Sequence, residues 1–301
     1  MKNIGSASYR RTDLACEADI DRESAEGVSF YEYDRDGVPV SRMTVEPGKG
    51  EENAGRAAGT YTTVTAERPW MWDDERRGML VTLLSDLISD AVLSASGKRP
   101  ATDFPVLVCG LGNRAMTADA VGPKVADNIT VTAQLKDELP DLYERIGCCR
   151  VSSVSPGVTA ATGIEASDTV RAIAGNTSPE VIILVDALAA RSCSRLASTI
   201  QIADTGISPG SGIGNRRRAI DRITTGVPVV TVGVPTVVDS STLVWDALEA
   251  AGIDAGAMPD SLRDILESGH SFFVAPKESD VITTEMARLI SDALNRLFGV
   301  E

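Results

Sequence analysis

Two aspartates carry the chemistry that this sequence can perform. Asp186 directly follows Val181-Ile-Ile-Leu-Val185, a wholly apolar run of the kind buried inside a sheet. A carboxylate in that position is costly to desolvate unless something offsets it. Asp119 stands in an earlier loop, the one that follows Val106-Leu-Val-Cys109. The interval between them holds a βαβ unit plus a strand and a helix. Ligands and reactions collect outside the carboxyl ends of strands in an open parallel sheet, so the two acids can face each other across one crevice. Two neighbouring carboxyls share a proton. One then acts as general base on a water while the other protonates the carbonyl or the leaving group. Both residues also have plain structural readings, Asp119 as the cap of the following helix and Asp186 as an acceptor for a backbone turn. Spacing alone leaves these open.

Other chemistries find less support. Gly110-x-Gly112-x-x-Ala115 after a strand has the look of a dinucleotide turn, but no acidic residue stands about 20 positions onward. Gly48-Lys49-Gly50 lacks the Gly-Lys-Ser/Thr ending of a phosphate loop. The run from Asp204 to Asn215 is rich in glycine, and Gly210, Ser211, Gly212, Gly214 and Asn215 are candidates for contacting a substrate or for offering amides to an oxyanion. A tight strand-to-helix connection explains the same glycines, and Arg216, Arg217 and Arg218 read as a solvated helix face. There is no Gly-x-Ser-x-Gly elbow, and the single histidine, His270, nearly excludes a His-based triad or a multi-histidine zinc site. The reading calls for no cofactor and no bound metal. The five cysteines, Cys16, Cys109, Cys148, Cys149 and Cys193, show no Cys-x-x-Cys spacing and read as reduced thiols.

The elements that must position these acids can be read from patterning. The chain has 301 residues, 43% of them hydrophobic and 24% charged, the balance of a globular protein with a core. Its formal net charge of −14 repels phosphate backbones and anionic lipid, which argues against nucleic-acid or membrane binding as the main task. No run of about 18 apolar residues suggests a membrane span, and Met1–Arg11 has no signal-like apolar stretch. Alternation over Val28–Tyr33 and Val38–Val45 around a Gly-containing turn predicts a hairpin, residues 46–59 read as a loop, and Tyr61–Thr65 as a further strand. A long helix is predicted from Asp73 to Gly97. Beyond Pro100, buried strands at Val106–Cys109, Val181–Val185, Val229–Val232 and, more weakly, Ser271–Ala275 alternate with helices. Arg150–Val154 and Thr199–Ile202 are further strand candidates. The helices are expected over Asp119–Val131, Glu165–Ala174, Asn215–Thr224, Ser240–Ala251 and Ser279–Leu297. The fold class is α/β: a mostly parallel sheet flanked by helices, with a β-rich elaboration at about 28–67 packed on it.

Several loops together are specific. Thr117-Ala-Asp-Ala-Val-Gly-Pro123, Pro156-Gly-Val158 with Thr162-Gly-Ile-Glu165, Val185-Asp-Ala-Leu-Ala-Ala-Arg-Ser192, Asp204 to Asn215 and Gly233-Val-Pro-Thr-Val-Val-Asp239 resemble the germination proteases of spore-forming bacteria, from Arg11 to the C-terminus. The resemblance implies an atypical aspartic endopeptidase that degrades small acid-soluble spore proteins during germination. It implies a homotetramer made as an inactive precursor in the cytoplasm of the developing spore, with a fold similar to hydrogenase-maturation endopeptidases. Its acidic candidates fall on Asp119 and Asp186. Arg11-Thr-Asp-Leu-Ala-Cys-Glu17 resembles both the family's self-processing site and the Thr-Glu-(Phe/Ile)-Ala-Ser-Glu sequence cut in its substrates. This implies cleavage at Asp13–Leu14, a propeptide over 1–13 and a single endopeptidase domain over 14–301. The family usually has proline where Ala118 stands, and the segment before the cut is shorter than usual. Two rivals remain: a metal-dependent maturation peptidase using the same carboxylates, and a nucleotide-binding module without peptidase activity.

Overall fold

A computed structural model describes residues 12–18, 20, 22, 25–210, 217–253, 259–261 and 272–300. Among them the strands are β1 (Val28–Arg35), β2 (Val38–Val45), β3 (Gly59–Thr65), β4 (Pro105–Gly110), β5 (Arg150–Val154), β6 (Val181–Ala190), β7 (Thr199–Ala203), β8 (Val229–Asp239) and β9 (Phe273–Val274). The helices are α1 (Lys49–Ala54), α2 (Asp74–Ser96), α3 (Val121–Asn128), α4 (Leu135–Glu138), α5 (Pro140–Ile146), α6 (Thr159–Thr162), α7 (Ala166–Thr177), α8 (Arg222–Thr225), α9 (Ser240–Ala250) and α10 (Ser279–Phe298).

All nine of these strands belong to one sheet, in the order β1-β2-β3-β7-β8-β6-β4-β5, with β9 also paired to β8. The apolar runs form its parallel half, β8-β6-β4-β5, because strands without alternation are stable only when covered on both faces. One face packs Val106, Val108, Ile183, Val185, Val230 and Val232 against α2, α3 and α10. The other packs Leu107, Cys109, Ile182 and Leu184 against Val170 and Ala174 of α7. The result is a three-layer α/β architecture. The hairpin does not lie on this core as the patterning suggests. It extends the same sheet edge to edge, β3 pairing antiparallel with β7 and β7 with β8.

Three further local readings change. Residues 46–59 contain a short helix, α1, because Glu51 accepts from the Gly48 amide at 3.1 Å and Gly55 closes the last turn at φ +61°. The helix expected over Asn215–Thr224 is reduced to the single turn α8. Ile220 instead bridges to Ile207 in an extended conformation, and the Asp221 carboxylate caps α8 by accepting from the Thr224 amide at 2.8 Å. Residues 211–216 lie outside the described residues. The helix expected from Asp119 begins with a tight turn over Thr117–Asp119 and continues as α3.

Helix α2 has an 18-residue window of mean hydropathy 1.5, long and apolar enough by length and composition to cross a bilayer. Its Leu80, Leu84, Leu87 and Ile88 are instead buried in the core, which accounts for that apolarity.

The feature that matters most for the acids is how closely α3 meets the sheet. A Cβ on Gly122 would lie 2.2 Å from the Leu111 carbonyl oxygen and 2.4 Å from that of Val185, and one on Gly110 would lie 2.0 Å from the Gly122 carbonyl oxygen. Only hydrogen fits between these backbones, so the loop carrying Asp119 is drawn onto the strand carrying Asp186. Gly122→Ala should therefore force α3 off the sheet and destabilise the fold by about 1–3 kcal/mol, read as a lower midpoint in urea denaturation.

Candidate active site

Asp186 does not follow its strand, as the apolar run suggests, but lies within it. β6 continues to Ala190 because β8 stays paired with it as far as Val238, whereas β4 is paired with it only as far as Gly110, opposite Val185. The acid thus emerges where its neighbour stops. It is 5% exposed, and its Oδ1 accepts from the Ala187 amide at 2.9 Å. Burial holds its carboxyl well above the ordinary range, and the nearby Asp119 and Asp13 carboxylates push in the same direction.

Asp119 is half-buried at the end of the turn before α3. The loop folds back on itself at Gly112, whose φ of +113° suits glycine and whose Cβ would fall 2.1 Å from the Asp119 carbonyl oxygen. That fold lets the Asn113 amide donate to Asp119 Oδ2 at 2.7 Å. Burial raises the Asp119 carboxyl, and this hydrogen bond opposes the shift. The glycines first compared with a dinucleotide turn are thus occupied in bringing backbones together. Ala118, where the resembling family has proline, is fixed by other means: its carbonyl accepts from the Thr236 hydroxyl at 2.6 Å, and that of Thr117 from Thr283 at 3.2 Å.

Both acids line one cavity of about 280 Å³, together with Asp13, Gly157, Glu165 and Thr236. Ser167, near the start of α7, also lines it, with a buried hydroxyl that has no hydrogen-bond partner among the described residues. Arg217 and Arg218 border this cavity and are exposed, as the sequence suggests, but on an irregular segment and not on a helix, while Arg216 lies outside the described residues. Each is tied to an acid at the start of α7, Arg217 to Glu165 at 3.4 Å and Arg218 to Asp168 at 3.0 Å. Gly210 lines the cavity, while Ser211, Gly212, Gly214 and Asn215 lie outside the described residues, as does His270. Among the described residues no group of three or more His, Cys, Asp or Glu side chains is disposed to hold a metal ion.

The N-terminal arm reaches into this site. The Asp13 amide donates to the Ala189 carbonyl at 2.9 Å, and the Ala189 amide returns a bond to Asp13 Oδ2 at 2.9 Å, on the edge of β6 that β4 has vacated. Leu14 is wholly buried against Leu188, Ala190 and Val238. Glu17 accepts from the amides of Arg191 and Ser192 at 2.7 and 2.9 Å and also from the Thr12 hydroxyl. Two residues that the sequence does not single out hold the arm from the other side, Arg56 and Gln201. Gln201 left a signal, a lone amide between Ile200 and Ile202 in a central strand. Arg56, in a glycine-rich stretch, left none.

The model of the germination protease family matches residues 9–251. The chain is 41% identical to a germination protease of Caldanaerobacter subterraneus subsp. tengcongensis over 95% of this chain and 93% of that one. It is 35% identical to a germination protease of Clostridium acetobutylicum over 95% of this chain and 94% of that one. Among solved structures it is similar to the NiFe hydrogenase maturation protease HycI of Thermococcus kodakarensis KOD1, with a TM-score of 0.35 and 18% identity, covering 71% of this chain and 99% of that one.

The raised Asp186 carboxyl makes a prediction about stability. A carboxyl whose folded pKa lies above its unfolded one favours the fold below the ordinary carboxylate range and weakens it progressively as pH rises toward the folded value. Asp186→Asn, which keeps the acceptor for Ala187 and never ionises, should therefore melt at an increasingly higher temperature than the unsubstituted chain as pH is raised from 4 to 8 in thermal scans. A constant difference across that range would contradict it.

Proposed function

The chain belongs to the germination protease family, and from that premise we propose that it is a self-processing endopeptidase in which Asp119 and Asp186 activate the attacking water. The observation that carries this reading is that Asp13, the acid before the proposed cut, lines the same cavity as the two acids. Burial and like charge disfavour two carboxylates there, so the pair holds one proton between them. The ionised member takes a proton from water as it adds to the peptide carbonyl, and the protonated member supplies one to the departing nitrogen.

While the arm stays seated, Asp13 fills part of the cleft, which accounts for an inactive precursor. Cleavage at Asp13–Leu14 removes that occupant. The small acid-soluble spore proteins are the proposed substrates in trans, because the sequence cut in them, Thr-Glu-(Phe/Ile)-Ala-Ser-Glu, parallels Thr12-Asp-Leu-Ala-Cys-Glu17. The contacts of the arm fit that pattern: an apolar seat for the residue after the cut and two backbone amides for the acid three positions further on.

Asp119→Asn and Asp186→Asn should each slow the appearance of a new N-terminus at Leu14 by about 10²–10⁴-fold, and slow cleavage of a spore-protein peptide to a similar degree. N-terminal sequencing and a peptide assay on folded variants measure both. Full activity in either variant would remove that residue from the mechanism.

A further inference from the structure

Water addition to an amide puts negative charge on the carbonyl oxygen, and an acid whose proton is kept for the departing nitrogen does not neutralise it. The register of the sheet bears on what does. Asp186 on β6 pairs with Gly233 on β8, and Gly233 pairs with Gln201 on β7. Residues opposite one another in a ladder project on the same face, so Asp186 and Gln201 stand two strand spacings apart, about 10 Å, and the ladder residue between them contributes no side chain. The gap left by Gly233 is overlain by Leu188, which a Cβ there would meet at 2.4 Å, and Leu14 packs on Leu188. The arm spans this gap, Asp13 bonded to Ala189 of β6 and the Ala15 amide donating to Gln201 Oε1 at 2.6 Å.

In that pose one oxygen is singled out. The carbonyl of Asp13 accepts from Arg56 Nη1 at 3.1 Å and from Gln201 Nε2 at 3.2 Å. Arg56 Nη2 reaches the carbonyls on either side, Leu14 at 2.9 Å and Thr12 at 3.4 Å, so its planar fork is held to the backbone of the arm. A cation and an amide thus converge on the carbonyl of the bond proposed to break.

We propose that Arg56 and Gln201 are catalytic residues for the self-cleavage, polarising the Asp13 carbonyl and holding the oxyanion that forms on it. The assignment rests on the reading that the acid pair cuts Asp13–Leu14. The oxygen of water bonds to the carbonyl carbon of Asp13 as its proton passes to the acid pair, and the π electrons move onto the oxygen between Arg56 and Gln201. When the intermediate collapses, those electrons reform the carbonyl, the C–N bond breaks and the pair returns a proton to the Leu14 nitrogen. A carboxyl group at Asp13 and an amine at Leu14 result, with water as the only other reactant.

The test tracks the new Leu14 end by mass spectrometry in the full chain purified as precursor, with melting temperatures measured alongside. Gln201→Met and Arg56→Met should slow the cut on the order of 10²–10³-fold, with Arg56→Lys recovering part of the loss. Gln201→Glu separates chemistry from anchoring. It keeps an oxygen for the Ala15 amide but can donate to the Asp13 carbonyl only while protonated. Its rate relative to the unsubstituted chain should therefore fall as pH rises through the titration of the introduced acid. Arg56, Tyr61, Asp13 and Asp221, which line the same cavity as Gln201, are present in both chains. A rate ratio that does not change with pH, or Met variants that melt normally and cut at about the unsubstituted rate, would overturn the assignment and leave the acid pair untouched. An unsubstituted chain that never yields the Leu14 end would overturn the self-cleavage reading and the assignment with it.

Discussion

Burying the carboxyl of Asp186 on a central strand disfavours its ionised form, and a backbone hydrogen bond offsets that penalty only in part. Its hydrogen-bond donor is the adjacent Ala187 amide, and the charged neighbours that act on it are two more acids, Asp119 and Asp13. A fold under selection for stability alone would place an apolar side chain there, as it does at Leu184 and Leu188 on the same face of β6. Strain of this kind persists where the rest of the structure over-determines it. Here the glycines at 110, 112 and 122 do so, because they let α3 and its preceding turn press against the strand until only backbone fits between them.

Much of this was legible in the amino-acid pattern, for reasons that can be named. The runs at Val106, Val181 and Val229 have no alternation because helices cover both faces of their strands, and the long helices α2 and α10 declare themselves through three- and four-residue apolar steps. The loops around Asp119 and Asp186 were legible as motifs, and the geometry brings both acids to one cavity. What was not legible depends on long-range pairing. That β6 and β8 continue beyond β4 is decided by their mutual ladder, not by the local sequence Asp186-Ala-Leu-Ala. The helix read over Asn215–Thr224 gave way because Ile220 is bonded to Ile207, a pairing distant in sequence that no local periodicity encodes. Arg56 could not be found from its surroundings, since its partners are carbonyls of residues 12 to 14, which any sequence has.

The hairpin elaboration has a different meaning once it is seen as part of the sheet. Pairing of β3 with β7 and of β7 with β8 carries one continuous register from Ser41 through Thr63, Gln201 and Gly233 to Asp186. Gln201 sits in the middle of that ladder, and Arg56 enters from the connection between α1 and β3. The β-rich portion therefore supplies the wall of the groove opposite the acids, and the arm is clasped between the two halves. Its anchoring is graded: Leu14 and Ala15 are as buried as core residues, whereas Asp13 borders an open cavity on each side.

That same ladder sets an order on the birth of the molecule. β3 ends at residue 65 and its partner β7 begins at residue 199, so the hairpin leaves the ribosome long before there is a strand for it to join. Residues 12–17 wait as well, since their partners Ala189, Arg191 and Gln201 are also made long after them. Contacts so distant in sequence close late and slowly. The groove that grips the arm is thus complete only once β7 and β8 have been made, and a copy truncated before them has nowhere to seat its own N-terminus.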